Sequence, residues 1–153
     1  MPAPNSIINK KDTKFRALDD AIKLYKEVLS IAACIPKRYT KTGLPEDLVN
    51  LAGKVLDNAK IANSIYIGNK DPDEMKRRIK KWKKAREYLQ ALSSKIDRLA
   101  DIDGLNFYDI DSRKVIGIKK RKLIRVFDLI NMELANLKEA IDRERKDYRE
   151  LTK

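Results

Sequence analysis

Apolar residues return every three or four positions along most of this chain, the period of a helix with one buried face. Leu18, Ala21, Ile22, Tyr25, Val28, Leu29, Ala32 and Ile35 predict a first helix over 15–35, ended by Pro36. Proline pushes the residue before it out of the helical region. A loop follows to Gly43. Pro45 suits a first helical position, and Leu48, Leu51, Val55, Leu56, Ala59, Ala62, Ile65 and Tyr66 predict a second helix over 45–67. Gly68-Asn69 is a helix-stop signal. Asp71, Pro72 and Glu74 then form a start signal with Asp71 as the cap. Met75, Ile79, Trp82, Leu89, Leu92, Ile96 and Leu99 carry the third helix to about Ile102, before Gly104. The stretch 103–114 is irregular, and Leu105, Phe107, Tyr108 and Ile110 are expected in a short extended segment over the bundle end. The fourth helix is expected to begin between Ser112 and Lys119. Its repeat of Leu123, Phe127, Ile130, Leu134, Leu137, Ile141, Tyr148 and Leu151 is a bundle seam, interrupted once by Glu144.

These elements predict an all-α fold, an antiparallel up-and-down four-helix bundle with a long fourth helix. Residues 1–14, with two prolines and no periodicity, are expected as a flexible tail before a bundle domain over 15–153. The chain has 153 residues, enough for one real core. Hydrophobic residues make up 42%, which argues against wholesale disorder.

Charge changes the picture more than composition does. The net charge is +12, a self-repulsion that is tolerable where the working partner is negative. The densest run is 76–86, where eight of eleven residues are cationic and none acidic: Lys76, Arg77, Arg78, Lys80, Lys81, Lys83, Lys84 and Arg86. Ile79 and Trp82 are expected to face the core, leaving the cations on the other directions of the helix. A solvated basic face would look similar. The run, however, sits in the early turns of its helix, where the macrodipole disfavours cations, while Asp97 and Asp101 lie at the far end. That order is the reverse of what stability alone would choose. A second cluster, Lys119, Lys120, Arg121, Lys122 and Arg125, opens the fourth helix, and Lys37 and Arg38 stand in the loop expected at the same end. The two groups form either two patches or one long stripe. Such spread charge without a base-reading motif suits phosphate contacts. Tyr39 among the loop cations is a candidate for base stacking, and more commonly such a tyrosine packs across a bundle end.

Catalysis finds little footing. The chain has no histidine, which removes the commonest general base and metal ligand. Its one cysteine, Cys34, lies in an apolar stretch and is expected as a buried small hydrophobe. No Gly-rich phosphate loop or nucleophile elbow is present, so no enzyme activity, metal or cofactor is expected. The N-terminus lacks a signal-peptide apolar run and no stretch reaches membrane-spanning length, so a cytoplasmic location without membrane association is expected.

Several segments carry a family resemblance. Ala21-Ile22-Lys23-Leu24-Tyr25, the helix end Ile35-Pro36-Lys37-Arg38-Tyr39, the Asp57-Asn58-Ala59-Lys60-Ile61-Ala62-Asn63 segment and the basic third helix together resemble one group. It is the accessory variability determinant proteins of diversity-generating retroelements, with relatives encoded in ribosomal-RNA intervening sequences. The similarity covers roughly residues 17–145. It implies a four-helix bundle assembled as a basic, barrel-like homopentamer. It also implies an accessory role: binding a reverse transcriptase and its template RNA in support of mutagenic complementary-DNA synthesis. The extended start and the charged end of the fourth helix depart from that pattern. From the residues alone, the expectation is a non-catalytic binder of RNA or DNA. The rival expectation is a module that docks an acidic protein surface, with nucleic acid incidental.

Overall fold

A computed structural model describes residues 13–35, 43–65, 71–102, 106–109, 114–118 and 120–153. Among the described residues four helices carry the fold: α1 Thr13–Ala33, α2 Leu44–Ser64, α3 Pro72–Ile102 and α4 Lys120–Leu151. They are 21, 21, 31 and 32 residues long. Between α3 and α4 lies a hairpin of β1 Asn106–Asp109 and β2 Lys114–Gly117. The tail expected over 1–14 lies, through residue 12, outside the described residues, whereas Thr13 and Lys14 already belong to α1.

The helix starts follow local chemistry. Gly43 takes φ +74° before α2, a left-handed conformation that costs glycine nothing, and its carbonyl accepts from Asp47 N at 2.8 Å. Pro45 and the acidic Glu46 and Asp47 fill the first turn, where free N–H groups favour negative charge. At α3, Asp71 Oδ1 accepts from Asp73 N at 3.0 Å, the N-cap expected from the sequence.

Every helix turns one face to a common core. Trp82, Leu24, Ile31, Leu48, Leu89, Leu92, Ile96, Ile130, Leu137 and Ile141 are its largest fully buried apolar side chains. Ala17, Ala21, Ala52, Ala59, Ala62, Ala85 and Ala140 are buried between them and let the backbones approach closely. Each helix packs on its neighbours in sequence, and α1 packs on α4. Pairs between α1 and α4 run in opposite numerical order: Arg16 with Glu139, Asp20 with Asn136, Glu27 with Arg125 and Ser30 with Lys122. Asp47 with Lys95 and the Ile65 carbonyl with Arg78 do the same between α2 and α3.

Three expectations are corrected. The buried face of α1 centres on Ala17, Ala21, Leu24, Val28 and Ile31, while Leu18, Ile22 and Tyr25 are half-buried and Leu29 is 42% exposed. Both neighbouring faces of α1 are apolar, so periodicity alone did not choose between them. On α4, Val126, Glu133, Ala140 and Glu144 are buried, whereas Phe127 and Leu134 are only partly so. A helix packed against two neighbours buries a wider arc than a two-stranded seam. Finally, the region expected to open the fourth helix is strand β2. Phe107 pairs with Ile116 and Tyr108 with Val115, and β-branched Val115-Ile116 before Gly117 favours a strand over a helix start. Leu105 and Ile110 of the expected extended segment lie outside the described residues.

Candidate nucleic-acid interface

The basic run lies on α3, as expected, but its residues divide into three groups. Lys76, Arg77, Lys80, Lys83, Lys84 and Arg86 are exposed and Lys81 is half-buried. Arg78 is the correction. It is 7% exposed, three residues after buried Met75 and four before buried Trp82, so it faces inward with them. Its Nη2 donates to Glu144 Oε1 at 2.5 Å, and its Nη1 to the Ile65 carbonyl at 3.4 Å. Glu144, the interruption in the α4 seam, is therefore the counter-charge of a cation mistaken for surface. Arg78 is therefore not presented at the surface with the other cations of the run. The Met75–Arg78–Trp82 spacing was the signal that could have placed it.

Among the exposed cations, Arg77 pairs with Glu74 at 3.6 Å. Lys76 Nζ lies 5.6 Å from the ring centroid of Tyr148 on α4. Tyr148 also holds the Lys76 ammonium above the ordinary lysine range, chiefly by hydrogen bonding. Lys80, Lys83, Lys84 and Arg86 have no ion-pair partner among the described residues. At about 100° per residue, Lys76, Lys80, Lys83 and Lys84 fall on one outward arc, with Glu87 its one acid within the next turn. The macrodipole penalty on this run is smaller than the sequence suggested. Asp73 and Glu74 occupy the first turn, and the dipole's influence fades beyond it.

Two cations of the second cluster, Lys122 and Arg125, link helices. Lys122 Nζ donates to Ser30 Oγ at 2.8 Å, and Arg125 Nε lies 3.0 Å from Glu27 Oε1, both across the α1–α4 contact. Arg121 is exposed. The Lys120 side chain, and Lys119, Lys37, Arg38 and Tyr39 altogether, lie outside the described residues. The α3 run meets α4 near Glu144 and Tyr148, whereas this cluster opens α4, about 30 Å away along the helix. Within the described residues these are two separate patches, not one stripe.

Two further polar features escaped sequence reading. Cys34 is half-buried in the turn after α1 rather than fully buried, because the helix stops at Ala33; Lys122 Nζ lies 4.0 Å from its Sγ. Glu133 of α4 is fully buried, and neither of its carboxylate oxygens has a hydrogen-bond partner among the described residues. The nearby Asn136 amide donates instead to Asp20 Oδ2 at 2.6 Å. Burial pushes the Glu133 carboxyl well above the usual range, the charge of Asp20 pushes the same way, and Asn136 offsets part of this. No group of three or more His, Cys, Asp or Glu residues is placed to hold a metal ion among the described residues. No described helix is long and apolar enough to cross a membrane. No protein-family model, curated protein or solved structure matches the chain.

Proposed function

We propose that this protein is a non-catalytic, cytoplasmic nucleic-acid-binding accessory protein whose α3 face contacts phosphates. One observation carries the reading. Lys80, Lys83, Lys84 and Arg86 stand exposed on α3 with no carboxylate partner among the described residues. Unneutralised cations repel one another, and condensed phosphate charge relieves that repulsion while releasing counterions. The rigid helix holds the charges in place, so binding does not have to order a loop.

An antiparallel up-and-down bundle is the topology that the opposite-order pairs between α1 and α4, and between α2 and α3, support. RNA as the nucleic acid, a reverse transcriptase as protein partner, a homopentameric assembly and a role in mutagenic complementary-DNA synthesis belong to the same proposal. Their support is the resemblance in the 21–25, 35–39 and 57–63 segments to retroelement accessory proteins.

The test is binding to labelled single-stranded RNA and to duplex DNA across a salt series, for the native chain and for a Lys80→Gln, Lys83→Gln, Lys84→Gln variant. Binding should weaken steeply with salt. Each lost phosphate contact should lower the log–log salt slope by about 0.7–0.9. Absent binding near physiological salt, or binding indifferent to the substitutions, would transfer the basic face to an acidic protein partner.

A further inference from the structure

We infer that the binding face is a groove with two walls, and that α4 supplies the second. Lys138, Arg145 and Arg149 form this wall, and a single nucleic-acid strand is its occupant. The inference rests on the nucleic-acid reading above and adds to it residues that no charge run in the sequence marks.

Two contacts fix how α3 and α4 face each other: Lys76 with Tyr148, and Arg78 with Glu144. They run in opposite order, so moving up α3 means moving down α4. Arg145 lies one turn before Tyr148 on α4, and Arg149 one turn beyond Arg145. Lys138 lies two turns before Arg145. At about 100° per residue these three positions fall within roughly 40° of one another, a single straight row. All three are exposed. On α3, Lys76, Lys80, Lys83 and Arg86 are exposed along the flank that rises from the Lys76–Tyr148 contact. Arg86 is about two turns beyond Arg78, which brings it level with the Lys138 region, about two turns below Glu144. Like charges therefore approach across the α3–α4 seam.

An arrangement selected for stability alone would alternate signs there, as this protein does elsewhere. Arg16 with Glu139 and Arg125 with Glu27 bridge α1 and α4, and Lys95 with Asp47 bridges α2 and α3. Across the outer α3–α4 seam none of Lys80, Lys83, Arg86, Lys138, Arg145 or Arg149 has a carboxylate partner among the described residues. Glu87 and Asp142 are the acids interspersed nearby, too few to neutralise the two rows.

The spacing favours one strand. Packed helix axes lie about 8–10 Å apart, which sets the separation of the two walls. The α4 row spans about 16 Å, room for two or three successive phosphates. A strand lying along the seam meets cations on both sides. A duplex presents its phosphates on a wide convex cylinder and engages one wall at a time. Grooves that track a backbone in this way are the usual device for single strands.

The experiment compares three variants of the full chain. One carries Lys138→Gln, Arg145→Gln and Arg149→Gln. A second carries Lys80→Gln, Lys83→Gln and Lys84→Gln. A third removes equal charge elsewhere, with Lys26→Gln, Lys60→Gln and Lys153→Gln. All nine positions are exposed, and unchanged circular dichroism with a melting temperature no lower than that of the native chain confirms folding. The α4 triple should weaken single-stranded RNA binding tenfold or more at about 150 mM salt and lower the salt slope by about two. The third variant should bind nearly as the native chain does. Loss in the α3 triple with none in the α4 triple overturns the second wall and leaves the nucleic-acid reading standing. Loss in neither overturns both. Equal loss in all three shows a general charge effect and overturns the groove. Duplex binding as tight as single-strand binding overturns the assigned occupant.

Discussion

Glu133 occupies a core position on α4 and still carries a carboxyl. A fully buried carboxylate with no hydrogen-bond partner among the described residues is costly, and burial disfavours its charged form. Its folded-state titration lies well above the usual value of 4.5. The sign follows directly. Between 4.5 and the raised value the folded chain holds a proton that the unfolded chain has lost, so stability falls as pH rises through that window. The slope is at most about 1.4 kcal/mol per pH unit for one proton. Below that window the group costs nothing through ionisation. Glu133→Gln should remove this contribution. Its stability relative to the native chain, read from urea midpoints, should improve as pH rises above 4.5. Parallel curves for the two proteins would show that Glu133 is ionised or solvated in the fold.

At the scale of elements, α3 and α4 are held to each other by a pair that neither helix shows alone. The side chains of Arg78 and Glu144 are 8% and 1% exposed, and the Ile65 carbonyl at the end of α2 accepts a second hydrogen bond from the same guanidinium. The pair ties three helices at one end of the bundle. It also aligns α3 against α4, and so aligns the two basic rows. Removing one partner strands a buried charge, so Arg78→Ala should cost about 3–5 kcal/mol in chemical denaturation. The double change Arg78→Met with Glu144→Leu should recover most of that loss, because it leaves no orphaned charge. A double variant as unstable as the single one would mean that the pair supplies more than mutual neutralisation.

At the scale of the whole molecule, the net charge of +12 opposes compaction. Intramolecular ion pairs relieve this repulsion unevenly: among the described residues the α1–α4 and α2–α3 contacts contain bridges, and Lys80, Lys83, Arg86, Lys138, Arg145 and Arg149 on the outer α3–α4 face have none. Salt screens the exposed repulsion far more than it screens the buried Arg78–Glu144 pair. The melting temperature should therefore rise as sodium chloride increases from about 50 to about 500 mM, by a few degrees. A fall would mean that surface bridges such as Arg125–Glu27 outweigh the repulsion.

The number and type of long elements were legible in the sequence, because a 3.6-residue period and local caps are properties of neighbouring residues. Asp71-Pro72 set the start of α3 to the residue, and Pro45 placed that of α2 to within one residue. The abundance of cations on α3 was legible for the same reason. Which arc of each helix is buried was not. On α1 two adjacent faces are apolar, and the choice of Ala17, Ala21 and Leu24 over Leu18, Ile22 and Leu29 depends on where α2 and α4 stand. The β2 strand was missed because Val115 and Ile116 are stabilised as a strand only by pairing with Tyr108 and Phe107, which no local period announces. The role of each charge was decided by tertiary structure alone. Arg78 and Lys80 are both cations two residues apart, on opposite sides of α3, yet one meets Glu144 sixty-six positions away and the other meets solvent. Local sequence determines which helices form and what charge they carry; only packing brings distant carboxylates to some cations and leaves others without one.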